Sequence, residues 1–367
     1  TPRSKAFGDK GFWNRVFRDY HTSGAAFETL DERAGMPDPH FREWMAHPVY
    51  DRYWAARAPT AEQYAQLDLP ILTITGYYDA DQPGAMAYYH RHMKHGSERG
   101  KARHFLVLGP WNHGGTRKPV QKFGGVRFGD AMMFDAFGLD RDWYHWVLGE
   151  GQRPAFLLDR VTYFVAGANR WRGAASLEAI TDQRLVLHLQ SAANADDLAR
   201  AGKLVTEPAA AADIDHYLYD PLDYRRVMRN PSRDYLTDAS EVLETDGDGL
   251  IYQTEPLANA VEITGYLRLD TWLETDVPDT DINVTLYEIL ADGTSIALTG
   301  QTLRLRYRHG LDSETLMPPG EVEPVVFDRF YFISRQVARG SRMRLFIRPS
   351  NSLANQRNYN SGGVVAE

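Results

Sequence analysis

Two stretches of the chain, ILTIT at 71–75 and HFLVLG at 104–109, are continuous apolar runs of strand length, each stopped by a glycine. Unbroken runs suit strands covered on both faces, as in a parallel sheet, because alternation arises only where one face meets water. Between them PGAMAYYHRHMKHG has helical character and ends at Gly96, and DAMMFDAFGLDRDWYHWVLGEG reads as an amphipathic helix closed by Gly149 and Gly151. Strand, helix, strand, helix in this order predicts α/β architecture. Ahead of it, GFWNRVFRDYH, HFREWMAHPVYDRYWAARA and AEQYAQLD are rich in aromatics and helix formers and predict short helices with polar turns.

Past Arg153 the pattern changes. VTYFVAG, RLVLHLQ, LIYQTEP, VEITGYLRLDTWLET, DINVTLYEILADGT, ALTGQTLRLRYRHG, VVFDRFYFIS and SRMRLFIRPS are separated by Gly, Asp, Asn and Pro turns such as Asp292-Gly293. Strands in such succession predict a β-sandwich of jelly-roll type, interrupted by the loop-like AAADIDHYLYDPLDYRR. The expected organisation is therefore helical residues 1–66, an α/β part at 67–151 and an all-β part at 152–367.

A length of 367 residues has room for two or three domains, and 43% hydrophobic content is enough for real cores. A net charge of −8 argues against nucleic acid as the main partner. The arginines of LRLRYRHG and RGSRMRLFIR fall at strand spacing and are expected on solvated sheet faces. With no cysteine, disulfides, thiolate metal sites and cysteine nucleophiles are excluded. No stretch approaches the roughly 18 apolar residues of a membrane span, so no membrane partner is expected. His90, His92 and His95 are expected to be solvated helix residues, and the acids of TDVPDTDIN and ETDGDG turn residues rather than calcium ligands. Neither a metal nor a cofactor is expected, and a homo-oligomer stays open.

Candidate chemistry lies where the two apolar runs stop. Groups that act on ligands collect beyond the carboxyl ends of strands in open α/β sheets. Asp79 comes three residues after Gly76 and His113 four after Gly109. A carboxylate on one imidazole nitrogen fixes the tautomer and frees the other nitrogen to act as a base. Acid, then histidine, then one closing helix is the back half of the nucleophile–acid–histidine order of α/β-hydrolases. Spacing alone would leave both as ordinary loop residues, but the glycine, proline and tryptophan of GPWNHGG make a costly loop for a merely exposed histidine.

G-Y-Y-D at 76–79 and L-G-P-W-N-H at 108–113 resemble two signature loops of the serine hydrolases that include cocaine esterase, α-amino-acid ester hydrolases, glutaryl-cephalosporin acylases and X-Pro dipeptidyl-peptidases. FVAGANRWR, the YDP of YLYDPLD, YQTEPLANAVEITGYLRL, TDINVTLYEILADG and RNYNSGG follow in that family's order, so the resemblance covers nearly the whole chain. It implies a C-terminal part of an α/β-hydrolase domain with a helical cap remnant, then a jelly roll. It also implies Asp79 as triad acid and His113 as triad base.

The departures are as informative. The family's nucleophile sits in G-x-S-Y-x-G, and no G-x-S-x-G occurs here. The expectation is a segment of a longer chain, cut at both ends, whose serine and oxyanion donors lie before Thr1. In the amino-acid ester hydrolases the loop after the triad acid is acidic and binds the substrate ammonium. The resemblance thus implies that Asp81 could supply one such carboxylate, with Gln82 where a second acid would stand. Trp111, by its place next to the expected base, is the one tryptophan expected to contact substrate rather than only to pack. The expected reaction is acyl transfer from an ester, amide or peptide to water. The alternative is a non-catalytic β-sandwich binding protein on a degenerate hydrolase scaffold.

Overall fold

The computed structural model describes residues 8–181, 183–208, 214–224, 232, 234–238, 247–350, 353 and 355–367. Among the described residues, five short α-helices come before the first strand: α1 (Lys10–Ser23), α2 (Leu30–Arg33), α3 (Pro39–Met45), α4 (Arg52–Ala55) and α5 (Ala61–Ala65). Their starts are written in the sequence. Asp9, Asp38, Asp51 and Thr60 each accept a hydrogen bond from a backbone N–H of the first turn, and Thr60 with Gln63 forms a capping box. Helix α1 buries Tyr20, whose hydroxyl accepts a hydrogen bond from the backbone N–H of Arg357 at 3.1 Å. The N-terminal helices are thereby fastened to the far end of the chain.

ILTIT forms β1 (Ile71–Gly76) and HFLVLG forms β2 (His104–Gly109), joined by α6 (Gln82–His95) and α7 (Glu98–Ala102). The strands pair in parallel, and every position of β2 is buried, as an unbroken apolar run requires. A small hairpin of β3 (Lys122–Phe123) and β4 (Val126–Arg127) leads to α8 (Ala136–Val147), the predicted closing helix.

Here the structure departs from the expected division at 151/152. VTYFV, expected in the all-β part, forms β5 (Val161–Val165) and pairs in parallel with β2. Strand β6 (Arg170–Ala174) then pairs antiparallel with β5, giving one four-stranded sheet in the order β1-β2-β5-β6. The reason is visible in the run itself, whose five residues are all buried. That is the mark of a central strand rather than of one half-open to water.

The rest is built on β7 (His188–Gln190), β8 (Gly202–Val205), β9 (Leu250–Gln253), β10 (Val261–Gly265), β11 (Leu269–Glu274), β12 (Asp281–Ile289), β13 (Ser295–Arg304), β14 (Val322–Phe327), β15 (Ile333–Val337) and β16 (Arg342–Pro349). Six of them form a mostly antiparallel sheet ordered β13-β12-β16-β9-β8-β7, and β10–β15 and β11–β14 are antiparallel pairs. The fold is thus α/β followed by all-β. The two parts join at Ala166, which donates its N–H to the Ser334 carbonyl at 3.1 Å and accepts from Gln336 N–H at 2.8 Å.

Several polar residues end up elsewhere than the sequence suggested. The arginines of LRLRYRHG do not form a solvated face. Arg306 is buried, with its Nε on Asp279 at 2.7 Å, and Arg304 holds Asp281 at 2.8 and 3.0 Å. Asn358 donates to both aspartates, at 3.0 and 2.8 Å. Asp279 and Asp281 of TDVPDTDIN are therefore buried partners of an ion-pair network rather than turn acids, while Asp276 sits exposed in a bend as expected. His92 is also buried, its Nδ1 2.9 Å from Nδ1 of His104, whose Nε2 meets Thr73 Oγ1 at 2.8 Å. Glu244, Thr245 and Asp246 of ETDGDG lie outside the described residues. Among the described residues no helix is long and apolar enough to cross a membrane.

Candidate active site

The register of the parallel pair sets Gly76 directly beside Gly109, so the segments beyond β1 and β2 leave the sheet together. They stay zipped: Tyr77 N–H donates to the Gly109 carbonyl at 2.8 Å, and Tyr78 N–H to that of Trp111 at 3.2 Å. Such close approach explains the glycines. A Cβ on Gly76 would fall 2.0 Å from the Trp111 carbonyl oxygen, and one on Gly109 would fall 2.4 Å from the Trp111 ring. Trp111 is buried beneath the loops, packed on Phe134 and Trp171. The substrate contact expected for it is not what the structure shows, because its ring supports the loop from below.

Beyond β1 the chain turns at Asp79, whose N–H bonds the Gly76 carbonyl at 3.2 Å and whose carbonyl accepts from Gln82 N–H at 3.0 Å. The Asp79 carboxylate is almost fully buried and accepts Asp81 N–H at 3.0 Å. Beyond β2, Asn112 caps a 3₁₀ turn (His113–Thr116) by accepting Gly115 N–H at 3.1 Å, which fixes where His113 begins.

These loops bring His113, Asp79 and Asp81 together. His113 Nδ1 lies 3.6 Å from Asp79 Oδ1 and 3.0 Å from Asp81 Oδ2. The His113 side chain is 58% exposed and that of Asp81 72%, so the group opens to solvent above a buried acid. On the other edge of the ring, Arg117 Nη1 lies 3.4 Å from Nε2. Both carboxylates thus lie on the Nδ1 side of the ring, Asp81 nearer than Asp79, and Arg117 stands against Nε2. One ligand atom from each of the three residues lies within 4.8 Å of the other two, so the same donors could also hold a metal ion.

Gln82 is set apart from the site. It is 1% exposed, and its amide is spent on Gly76 and Phe332, so it does not present a group to a ligand as expected. Beside the acid loop, a cavity of about 280 Å³ opens between Tyr77, Tyr78 and Ala80 on one side and Tyr235, Thr299 and Tyr331 on the other. Burial raises the Tyr331 hydroxyl above its ordinary pKa, and the nearby Asp79 and Asp81 carboxylates add to it. Burial also pushes Tyr235 up to about 12. These phenols stay neutral at physiological pH and present hydroxyl groups rather than charge. Sequence reasoning missed them, since nothing local links residues so far from Asp79 in the chain. Arg117 could have been suspected, because it stands one helical turn after His113.

The family model of X-Pro dipeptidyl-peptidase (S15 family) matches residues 10–115, and that of the X-Pro dipeptidyl-peptidase C-terminal non-catalytic domain matches residues 156–364. Cocaine esterase from Rhodococcus sp. (strain MB1 Bresler) is 28% identical over 330 residues, which is 87% of this chain and 55% of that protein. An aminopeptidase from a marine sediment archaeon (Thaumarchaeota archaeon) superposes with a TM-score of 0.75 at 23% identity, over 95% of this chain and 59% of that one. An α-amino acid ester hydrolase superposes with a TM-score of 0.76 at 20% identity, again over 95% and 59%. The chain therefore spans little more than half the length of these relatives.

Proposed function

The chain belongs to the cocaine esterase and X-Pro dipeptidyl-peptidase family of hydrolases, and from that premise we propose that it carries the acid and base of a serine hydrolase. His113 is the general base and Asp79 the carboxylate that orients it. The nucleophilic serine comes from a part of the protein before Thr1, since no G-x-S-x-G occurs in these 367 residues. The reaction is acyl transfer to water. His113 Nε2 takes the serine proton as the hydroxyl attacks the carbonyl, then returns it to the leaving group. Asp79 keeps the Nδ1 proton in place and stabilises the imidazolium formed in between. In the second half water replaces serine, and His113 repeats the transfer.

The observation that carries this reading is the parallel pair ending at Gly76 and Gly109, which puts a buried carboxylate and an exposed imidazole at one end of one sheet. Substrates are esters or amides: α-amino acyl esters, β-lactam side chains or X-Pro peptides. Asp81, exposed beside His113, is the group that would hold a substrate ammonium, and the tyrosine-lined cavity would take the acyl side. Residues before β1 are the remnant of a helical cap, and the β-rich part is a jelly roll.

Labelling of the full-length protein with a fluorophosphonate tests the reading, with His113→Ala as control. Stoichiometric modification of one serine, lost or slowed about a thousandfold in the variant, is the expected result. A well-folded protein that takes no label would favour the binding-protein alternative.

A further inference from the structure

Gln82 is the first residue of α6, three positions after Asp79, and it reaches the β-rich part of the molecule. Its Oε1 accepts Phe332 N–H at 2.7 Å, and its Nε2 donates to the Phe332 carbonyl at 3.0 Å and to that of Gly76 at 2.9 Å. One buried amide thus reads both polar groups of a single residue, as a neighbouring strand would. It uses both its donors in doing so. The Gly76 carbonyl that it binds is the one that also accepts Asp79 N–H. Next to Phe332 stands Tyr331, which lines the cavity beside the acid loop and whose carbonyl is held by Thr299 Oγ1 at 3.0 Å.

We propose that Gln82 is a positioning residue, through which segment 330–332 of the β-rich part sets the placement of the Asp79 loop. The inference rests on the acyl-transfer reading above. Asp79 hangs on a turn whose first carbonyl is shared with Gln82, so any slip of Phe332 against Gln82 is passed to the carboxylate facing His113. A misplacement of about 1 Å in an acid–base pair is worth up to about a hundredfold in rate. The β-rich part is then a component of the site and not only a neighbour of it.

The test uses the full-length enzyme and three variants, with kcat and KM measured on a small ester and a bulky aromatic ester well below each variant's Tm. Gln82→Met keeps the volume and removes all three hydrogen bonds. Gln82→Glu can donate to Phe332 only when its carboxyl is protonated. Thr264→Val breaks the 2.8 Å contact of Thr264 with Ser334 in the β10–β15 pair and leaves all three Gln82 hydrogen bonds in place. The expected result is a fall of about tenfold to a hundredfold in kcat for Gln82→Met on both esters. Thr264→Val should lower Tm with kcat held within about twofold. In Gln82→Glu, kcat relative to wild type should rise as pH is lowered, because carbonyl neighbours favour the neutral acid. A Gln82→Met enzyme with lowered Tm and wild-type kcat would overturn the inference. So would a Gln82→Glu ratio that is flat with pH, and this second arm decides if the methionine variant does not fold. Full activity in His113→Ala would sink the underlying reading, whereas an inactive His113→Ala beside a fully active Gln82→Met would sink this inference alone.

Discussion

Two groupings of aspartates and nitrogen bases in this molecule look alike in the sequence and do opposite things in the structure. In the β-rich part, Asp279 and Asp281 are gripped by Arg306, Arg304 and Asn358. Asp279 and Arg306 are buried, and the Asp279 Oδ1 is further occupied by Arg306 N–H at 3.0 Å. In the loops after β1 and β2, Asp79 is buried but faces an exposed histidine whose Nε2 is approached only by the Arg117 side chain. The first cluster is closed, with charges neutralised and acceptors filled, and it can only hold the fold. The second leaves an imidazole at the surface with carboxylates on one side of its ring, where it can meet a ligand.

The largest effect that would separate the two is on the open cluster. In the proposed mechanism Asp79 is the partner that sets the tautomer of the imidazole, and Asp79→Asn puts an amide in its place. Hydrolysis should fall by about 10⁴-fold with Tm little changed. Asp81→Asn, though nearer to His113, should cost about tenfold and mostly in KM for substrates with a free ammonium group. Equal losses from the two would mean that both carboxylates serve the base.

The closed cluster predicts the reverse. Asp279→Ala leaves the buried Arg306 guanidinium without its main partner and should cost about 3–5 kcal/mol of stability, read by denaturant unfolding. The kcat per folded molecule should be unchanged. A loss of kcat without a loss of stability would mean that the network reaches the site.

A smaller, pH-dependent effect belongs to the buried histidines. Burial, and then the neighbouring His92, push the His104 pKa down to about 3. The unfolded chain binds this proton near pH 6.5 and the folded one does not. This contribution to stability is therefore complete above pH 6.5 and is lost as pH falls toward about 3, by about 2 kcal/mol at pH 5. Gln at 104 does not titrate, so His104→Gln should show a smaller drop in Tm between pH 7 and pH 5 than wild type.

How much of this was legible beforehand follows from how local each signal is. The runs at 71–75 and 104–109, the helix ending at Gly96 and the closing helix were plain, because apolar periodicity and glycine stops are properties of neighbours in sequence. Asp79 and His113 were legible for the same reason, as each follows its own strand end. VTYFV, expected in the all-β part, pairs with β2 instead, and its five buried residues are those of a central strand. What stayed hidden was long-range pairing. Arg306 and Asp279 lie 27 residues apart and Gln82 and Phe332 lie 250 apart. Nothing in LRLRYRHG distinguishes an arginine facing water from one buried on an aspartate.

The most direct test of the account is a double-mutant cycle on Asp79 and His113, with kcat/KM measured for wild type, Asp79→Asn, His113→Ala and the pair together. If the two act as one unit, the double variant should be no slower than His113→Ala alone. Losses that multiply, or a His113→Ala protein that hydrolyses at the wild-type rate, would contradict the assignment of acid and base.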